Sequence, residues 1–306
     1  MIETWQQALP HGITLSCRAS GERGRPVLLF LHGFPEAAFA WDALLEHFAR
    51  PENGGYRCVA PNLRGYERSS APVDVKAYRP KHLVQDIVAL IDHETGGQPL
   101  AALVAHDWGG ALAWAFANQH PHRMQRLVIV NAPHPGTYLR ELQNNPAQQA
   151  ASSYMNFLVR PDAARLLTEN SHARLFGFFE GMGASAAPGT PGAPIGAGWL
   201  TEEVRAQYRA VWDLGVQGGL NYYCASPLHP ASAHELQIPP EALHIAMPTL
   251  VLWAQDDIAL LPCLCDGLEE HVPDLKLVPL HRATHWVVHE QPQRVIEEIS
   301  AFLKAQ

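Results

Sequence analysis

The chain has 306 residues, enough for one large domain or one domain carrying an insertion. Its 47% hydrophobic and 17% charged residues suit a globular protein with a substantial core. A formal net charge of −8 disfavours nucleic acid and acidic membranes as partners, and no apolar run is long enough to span a bilayer. The five cysteines are irregularly spaced, and Cys263-Leu264-Cys265 fits neither a zinc knuckle nor a redox C-x-x-C pair. Buried or incidental thiols in a reducing compartment are expected. The opening Met1-Ile2-Glu3-Thr4-Trp5 lacks the apolar segment of a signal peptide, so a cytoplasmic location is expected.

In chain order, residues 14–18 suit an edge strand. Residues 27–31, Val-Leu-Leu-Phe-Leu, suit a central parallel strand buried on both faces. That run ends in His32-Gly33-Phe34-Pro35, just past a strand's carboxyl end, where open α/β sheets bind ligands. Residues 39–48 predict a helix with Trp41, Leu44, Leu45 and Phe48 inward, and 56–60 a strand. Arg64-Gly65-Tyr66-Glu67-Arg68-Ser69 reads as a loop with a structural role. Residues 81–91 carry apolar side chains at helical spacing.

Residues 100–105 form the next buried strand, and a helical pattern follows at once over 110–118. The turn between them must be sharp, and Gly109 and Gly110 permit a close helix–strand approach. This is the strand–turn–helix context of a nucleophile elbow, with Ala105 in place of its first glycine and Asp107 at its tip. A carboxylate there can attack an electrophilic carbon and form an ester. Aspartate is also a common helix cap, so the remaining motifs must decide. With Asp107 as nucleophile, the Phe34 backbone N–H becomes a donor to an oxyanion hole.

Residues 127–130 form a strand, and Pro133 and Pro135 after it mark a boundary that stops regular structure. From 136 to 244 the strand–helix alternation lapses. Helices are expected at 148–159, 162–170 and 201–214, with a mobile, Gly/Ala/Pro-rich loop over 183–198. Residues 249–253 resume the strands and lead to Asp256 and Asp257. Residues 275–280 form the last strand, followed by Thr284-His285-Trp286, and 292–303 the closing helix. Nucleophile, acid, histidine is the chain order of the α/β hydrolases. His285 is then the base and Asp257 its orienting acid. Asp256 is the rival acid, and His281 and His289 are rival bases more simply read as surface residues.

With these motifs in place, the chain resembles the α/β-hydrolase superfamily, and within it the epoxide hydrolases, with haloalkane and haloacetate dehalogenases next. The likeness spans nearly the whole chain. It rests on His32-Gly33-Phe34-Pro35-Glu36, Arg64-Gly65-Tyr66 with Ser69, His106-Asp107-Trp108-Gly109-Gly110, the Asp257 turn and His285-Trp286. It implies an α/β-hydrolase fold: a mostly parallel sheet flanked by helices, with a helical cap inserted after the sixth strand. The core would comprise residues 1–135 and 245–306, and the cap 136–244.

Epoxide hydrolases use two cap tyrosines to hold the ring oxygen. Tyr154 resembles the first, and Asn221-Tyr222-Tyr223 resembles the motif of the second, with Tyr223 the match and Tyr222 its rival. The resemblance implies diol formation from a small-molecule epoxide and water through an Asp107 ester, with Phe34 and Trp108 N–H groups as oxyanion hole. It implies no cofactor and no metal, and no nucleic-acid or membrane partner. A homodimer is possible. Haloacetate dehalogenases place arginines where Trp108 and Ala111 stand, which argues against haloacids. Haloalkane dehalogenases share the tryptophan after the nucleophile but usually carry Asn where Phe34 stands. Haloalkane dehalogenation remains the alternative, and a non-catalytic ligand-binding homologue is the third.

Overall fold

A computed structural model describes residues 1–187 and 190–305. Eight strands form one sheet: β1 (Glu3–Ala8), β2 (Thr14–Ser20), β3 (Val27–Leu31), β4 (Arg57–Pro61), β5 (Ala102–His106), β6 (Leu127–Val130), β7 (Thr249–Ala254) and β8 (Leu275–Leu280). Their order is β1-β2-β4-β3-β5-β6-β7-β8. β2 pairs antiparallel with β1 and β4, and every other neighbouring pair is parallel, as the α/β-hydrolase fold requires.

The helices are α1 (Asp42–Phe48), α2 (Pro80–Thr95), α3 (Trp108–Gln119), α4 (Pro135–Asn144), α5 (Pro146–Ala151), α6 (Met155–Leu158), α7 (Ala163–Glu180), α8 (Glu202–Trp212), α9 (Gln217–Ala225), α10 (Val287–Glu290) and α11 (Pro292–Lys304). Successive side chains of a strand face opposite layers. Leu28, Phe30, Val104, Val128 and Leu250 accordingly pack with Leu44, Leu45, Val295 and Ile299 of α1 and α11. Leu29, Leu31, Leu103, Ile129 and Val251 pack on the other side with Ile87, Leu90, Leu112 and Phe116 of α2 and α3. This double burial explains why the middle strands read as unbroken apolar runs.

Three expectations are corrected. Residues 14–18 are not an edge strand, because β1 covers them. The segment Glu-Thr-Trp-Gln-Gln-Ala leaves no residue fully buried and so lacks an apolar signal of its own. Pro135 opens α4 instead of stopping regular structure. A proline's missing N–H and fixed φ suit the first helical turn. The helix expected at 162–170 breaks at residues 169–172, where Asn170, Ser171 and His172 are left-handed, but a second helical run that was not expected follows it to Glu180. The loop expected over 183–198 includes Pro188 and Gly189, which lie outside the described residues, as does Gln306 of the last core segment.

Between β6 and β7 the described residues hold helices α4 to α9 and no strand. α9 meets the 64–69 loop backbone to backbone: a Cβ on Gly218 would sit 2.3 Å from the Gly65 Cα. The loop is itself anchored from below. The buried Arg64 guanidinium donates to Asp86 of α2 at 2.8 and 2.6 Å and to the Ala77 carbonyl at 2.7 Å.

Removing one member of such a buried pair strands the other. An Asp86→Ala variant is expected to lose about 3 kcal/mol of stability, read by chemical denaturation. A loss within error would show that the pair does not anchor the loop.

Candidate active site

The turn between β5 and α3 is strained. Asp107 has φ 50° and ψ −121°, a backbone conformation that side-chain-bearing residues rarely adopt. The strain is held by close packing: a Cβ on Gly109 would lie 2.4 Å from the Leu31 carbonyl oxygen. The Asp107 carboxylate makes no capping bond to α3, so it is not serving as a helix cap. Instead it points toward the loop after β3. The Phe34 N–H donates to Oδ1 at 2.7 Å. A Cβ on Gly33 would fall 2.2 Å from that same oxygen, so only glycine fits there. Trp108 is the first residue of α3, and an N–H at that position has no acceptor within its helix.

Asp107 Oδ2 faces His285, whose nearest ring nitrogen, Nε2, is 3.7 Å away. The other ring nitrogen, Nδ1, lies 2.7 Å from Asp257 Oδ2. Asp257 is 2% exposed and fully engaged. Its Oδ1 accepts from the Ala259 and Leu260 N–H groups at 2.8 and 3.0 Å. Its Oδ2 also accepts from the Asn131 side chain at 2.9 Å. Burial alone would raise the Asp257 carboxyl, but His285 and these donors hold it below its ordinary value. Burial alone would lower His285, yet Asp257, and after it Asp107, push it up to about 9. Asp256 and His281, the rival acid and one rival base, are both exposed.

Sequence reasoning missed the residues that support this pair. Asn131 directly follows β6 with φ 41° and bridges Asp257 to the Ala254 N–H, which donates to its side-chain oxygen at 2.8 Å. Glu36 is buried, with His106 Nδ1 at 2.8 Å and His289 Nε2 at 2.9 Å. His106 Nε2 then donates to the His285 carbonyl at 2.9 Å. His289, read from sequence as a surface residue, is instead half-buried, because Trp199 stacks on it and Tyr208 bonds to it. The one available signal was the polar Glu36 directly after a loop-forming proline.

A cavity of about 380 Å³ opens above Asp107. Asp107, Trp108, Tyr154 and Tyr223 all line it. Tyr154 closes the short turn Ser152–Tyr154 and Tyr223 sits on α9. Their rings lie edge to face with centroids 6.3 Å apart, and Tyr223 meets the Trp108 ring at 4.9 Å. Burial raises both phenols well above their ordinary range, Tyr138 and Asp107 add to it at Tyr154, and Tyr154 and Asp107 add to it at Tyr223, so both keep their protons. Tyr222 also lines the cavity, but its hydroxyl donates to the Arg64 carbonyl at 3.0 Å. That bond turns the Tyr222 hydroxyl to the 64–69 loop.

A family model described as alpha/beta hydrolase fold matches residues 26–292. An AB hydrolase superfamily protein of Bacillus subtilis, YfhM, is 31% identical, over 97% of this chain and 96% of its own length. Epoxide hydrolase 4 of Mus musculus is 30% identical, over 96% of this chain and 77% of its own. The structure of a Bacillus megaterium epoxide hydrolase with an inhibitor superposes with a TM-score of 0.86 at 29% identity, over 98% of this chain and 100% of that one.

The Asp257 carboxylate is the main force keeping the proton on His285. In an NMR titration the His285 ring is expected to change charge at about 9 in the parent. In Asp257→Asn that midpoint moves down to or below the ordinary histidine range. An unchanged midpoint would contradict the pairing.

Proposed function

The chain belongs to the α/β-hydrolase fold family, on its epoxide hydrolase branch, and we propose that it opens an epoxide to a vicinal diol through a covalent ester on Asp107. One observation carries this: two protonated phenols, Tyr154 and Tyr223, line the same cavity as the Asp107 carboxylate. An opening epoxide develops charge on oxygen, and phenols are the donors that charge needs. Residues 136–244 act as a cap on a core of 1–135 and 245–306, since they supply both tyrosines.

The two Asp107 oxygens divide the work. Oδ1 is held by the Phe34 N–H, so Oδ2 is the free nucleophile. Oδ2 attacks a ring carbon, the C–O bond breaks, and a tyrosine hydroxyl gives its proton to the departing oxygen. An ester on Asp107 results. Water then gives a proton to His285 Nε2 while its oxygen bonds to the Asp107 Cγ. Charge collects on Oδ1, against the Phe34 and Trp108 N–H groups. Collapse breaks the Cγ–Oδ2 bond, Oδ2 leaves as the second diol oxygen and takes the proton of the newly added hydroxyl, which restores the Asp107 carboxylate, and the proton on His285 returns to the tyrosinate. No cofactor or metal enters this sequence.

Charge couples the two steps. The Asp107 carboxylate helps hold the proton on His285. Esterification removes that negative charge, so His285 sheds its proton more readily once it must act as a base. Ester hydrolysis needs the neutral ring, so it accelerates as pH rises through the His285 transition of the ester form.

Carbon–halogen cleavage at the same nucleophile is the second reading. Trp108 keeps an indole donor at the cavity, but Phe34 offers no side-chain donor for halide. The test is a His285→Gln variant mixed with a terminal aryl epoxide and analysed by intact mass. A stable adduct of the epoxide's mass on the Asp107 peptide is expected. Replacing Tyr154 or Tyr223 by Phe should slow its formation by about a hundredfold each. Absence of adduct, or halide release from haloalkanes with epoxides untouched, would overturn the proposal.

A further inference from the structure

Helix α3 has a face that the core does not use. Leu112, Ala113, Phe116 and Ala117 are buried in the interior. Ala111 and Gln119 are exposed, and Trp108, Ala115 and Asn118 are half-buried. Positions 108, 111, 115 and 118 recur every three to four residues and so form one stripe along the helix. Each of them lines the cavity that begins at Asp107. At a rise of about 1.5 Å per residue, the stripe runs about 16 Å from Asp107 to Asn118. The floor is thus a groove along most of α3, and two alanines keep it open.

The opposite wall comes from the segment after α9, through Leu228, Leu236 and Ile238. Pro80 and Leu83 of α2 close one side. Among the described lining residues there is no Lys, Arg or Glu, and Asp107 is the single carboxylate. His134 in the wall is pushed down to about 3 by burial, so it is neutral near pH 7. A charged group inside the groove would have no counter-ion and would lose its water.

Resting on the proposed epoxide chemistry, we infer that the substrate carries an extended, uncharged, apolar tail that lies along α3, and that Ala111 and Ala115 set how long it can be. The ring carbon sits at Asp107 and the tail runs over Ala111 and Ala115 toward Asn118. The Asn118 side chain is already bonded to the Glu241 and His244 carbonyls, so it ties the two walls together at the far end.

The test compares kcat/KM for terminal alkyl epoxides of four, eight and twelve carbons on the parent, Ala115→Leu and Ala115→Trp. In the parent, each added methylene should raise kcat/KM by up to about fourfold until the groove is filled. Ala115→Trp should move the optimum to shorter chains, costing the twelve-carbon substrate about tenfold or more relative to the four-carbon one. Ala115→Leu should give a smaller shift in the same direction and keeps the comparison readable if the larger side chain prevents folding. In the parent, replacing the terminal methyl of the eight-carbon substrate by a carboxylate should lower kcat/KM by about tenfold or more. No dependence on length, equal losses at all lengths in the variants, or equal use of the carboxylate would overturn the inference. A parent protein that consumes none of these epoxides and forms no Asp107 ester would instead overturn the proposed function itself.

Discussion

The hydrogen bond from the Phe34 N–H to Asp107 Oδ1 makes two chemically equivalent oxygens different. It draws one oxygen into a donor site and leaves the other toward His285 and the cavity. Nearly everything else in the fold serves that bond. The strained turn at Asp107 throws the carboxylate forward rather than back onto α3. Gly33 lets the loop after β3 come within reach, and the loop arrives there because β3 and β5 are hydrogen-bonded neighbours. In the proposed chemistry the same N–H meets a carboxylate in the resting enzyme, an ester carbonyl in the intermediate and an oxyanion between them.

Around this centre the structure manages charge by supplying a fixed partner for each buried ion. Asp257 is held by two backbone N–H groups, an amide and a histidine. Glu36 is placed between two histidines, one of which reaches the His285 backbone. Burying such carboxylates unpaired would cost several kcal/mol each. Because they are paired, the His285 ring is fixed from its side chain by Asp257 and from its carbonyl by His106. The rigidity suits a base that must meet a water near a single carbon atom.

Much of this was legible in the sequence, and the limits have physical causes. Doubly buried strands announce themselves as apolar runs, so β3, β5, β6 and β7 stand out, as does the sharp turn at Asp107. β1 does not, since a half-exposed edge strand needs few apolar residues. α9 was missed because Gly218 and Gly219 lower helix propensity, although Gly218 is there for contact with Gly65. Asp107, Asp257 and His285 were found by their places after strands, and the structure brings them together. Tyr223 was preferred to Tyr222 on the Asn221-Tyr222-Tyr223 pattern alone, whereas the bond that gives the Tyr222 hydroxyl to the Arg64 carbonyl is tertiary, and no local pattern encodes it. Asn131 and His289 act only through partners distant in sequence, so residue type and spacing gave them no mark, and Glu36 had only its place after Pro35 to signal it.

The central claim is that Asp107 itself, and not a water molecule, makes the first bond to the substrate. A single turnover in heavy-oxygen water, with enzyme in excess, followed by mass analysis of the peptide containing Asp107, tests it directly. The account predicts that heavy oxygen enters the Asp107 carboxylate and that the diol from this first turnover carries none. Label found in the diol alone, with an unlabelled Asp107 peptide, would contradict it.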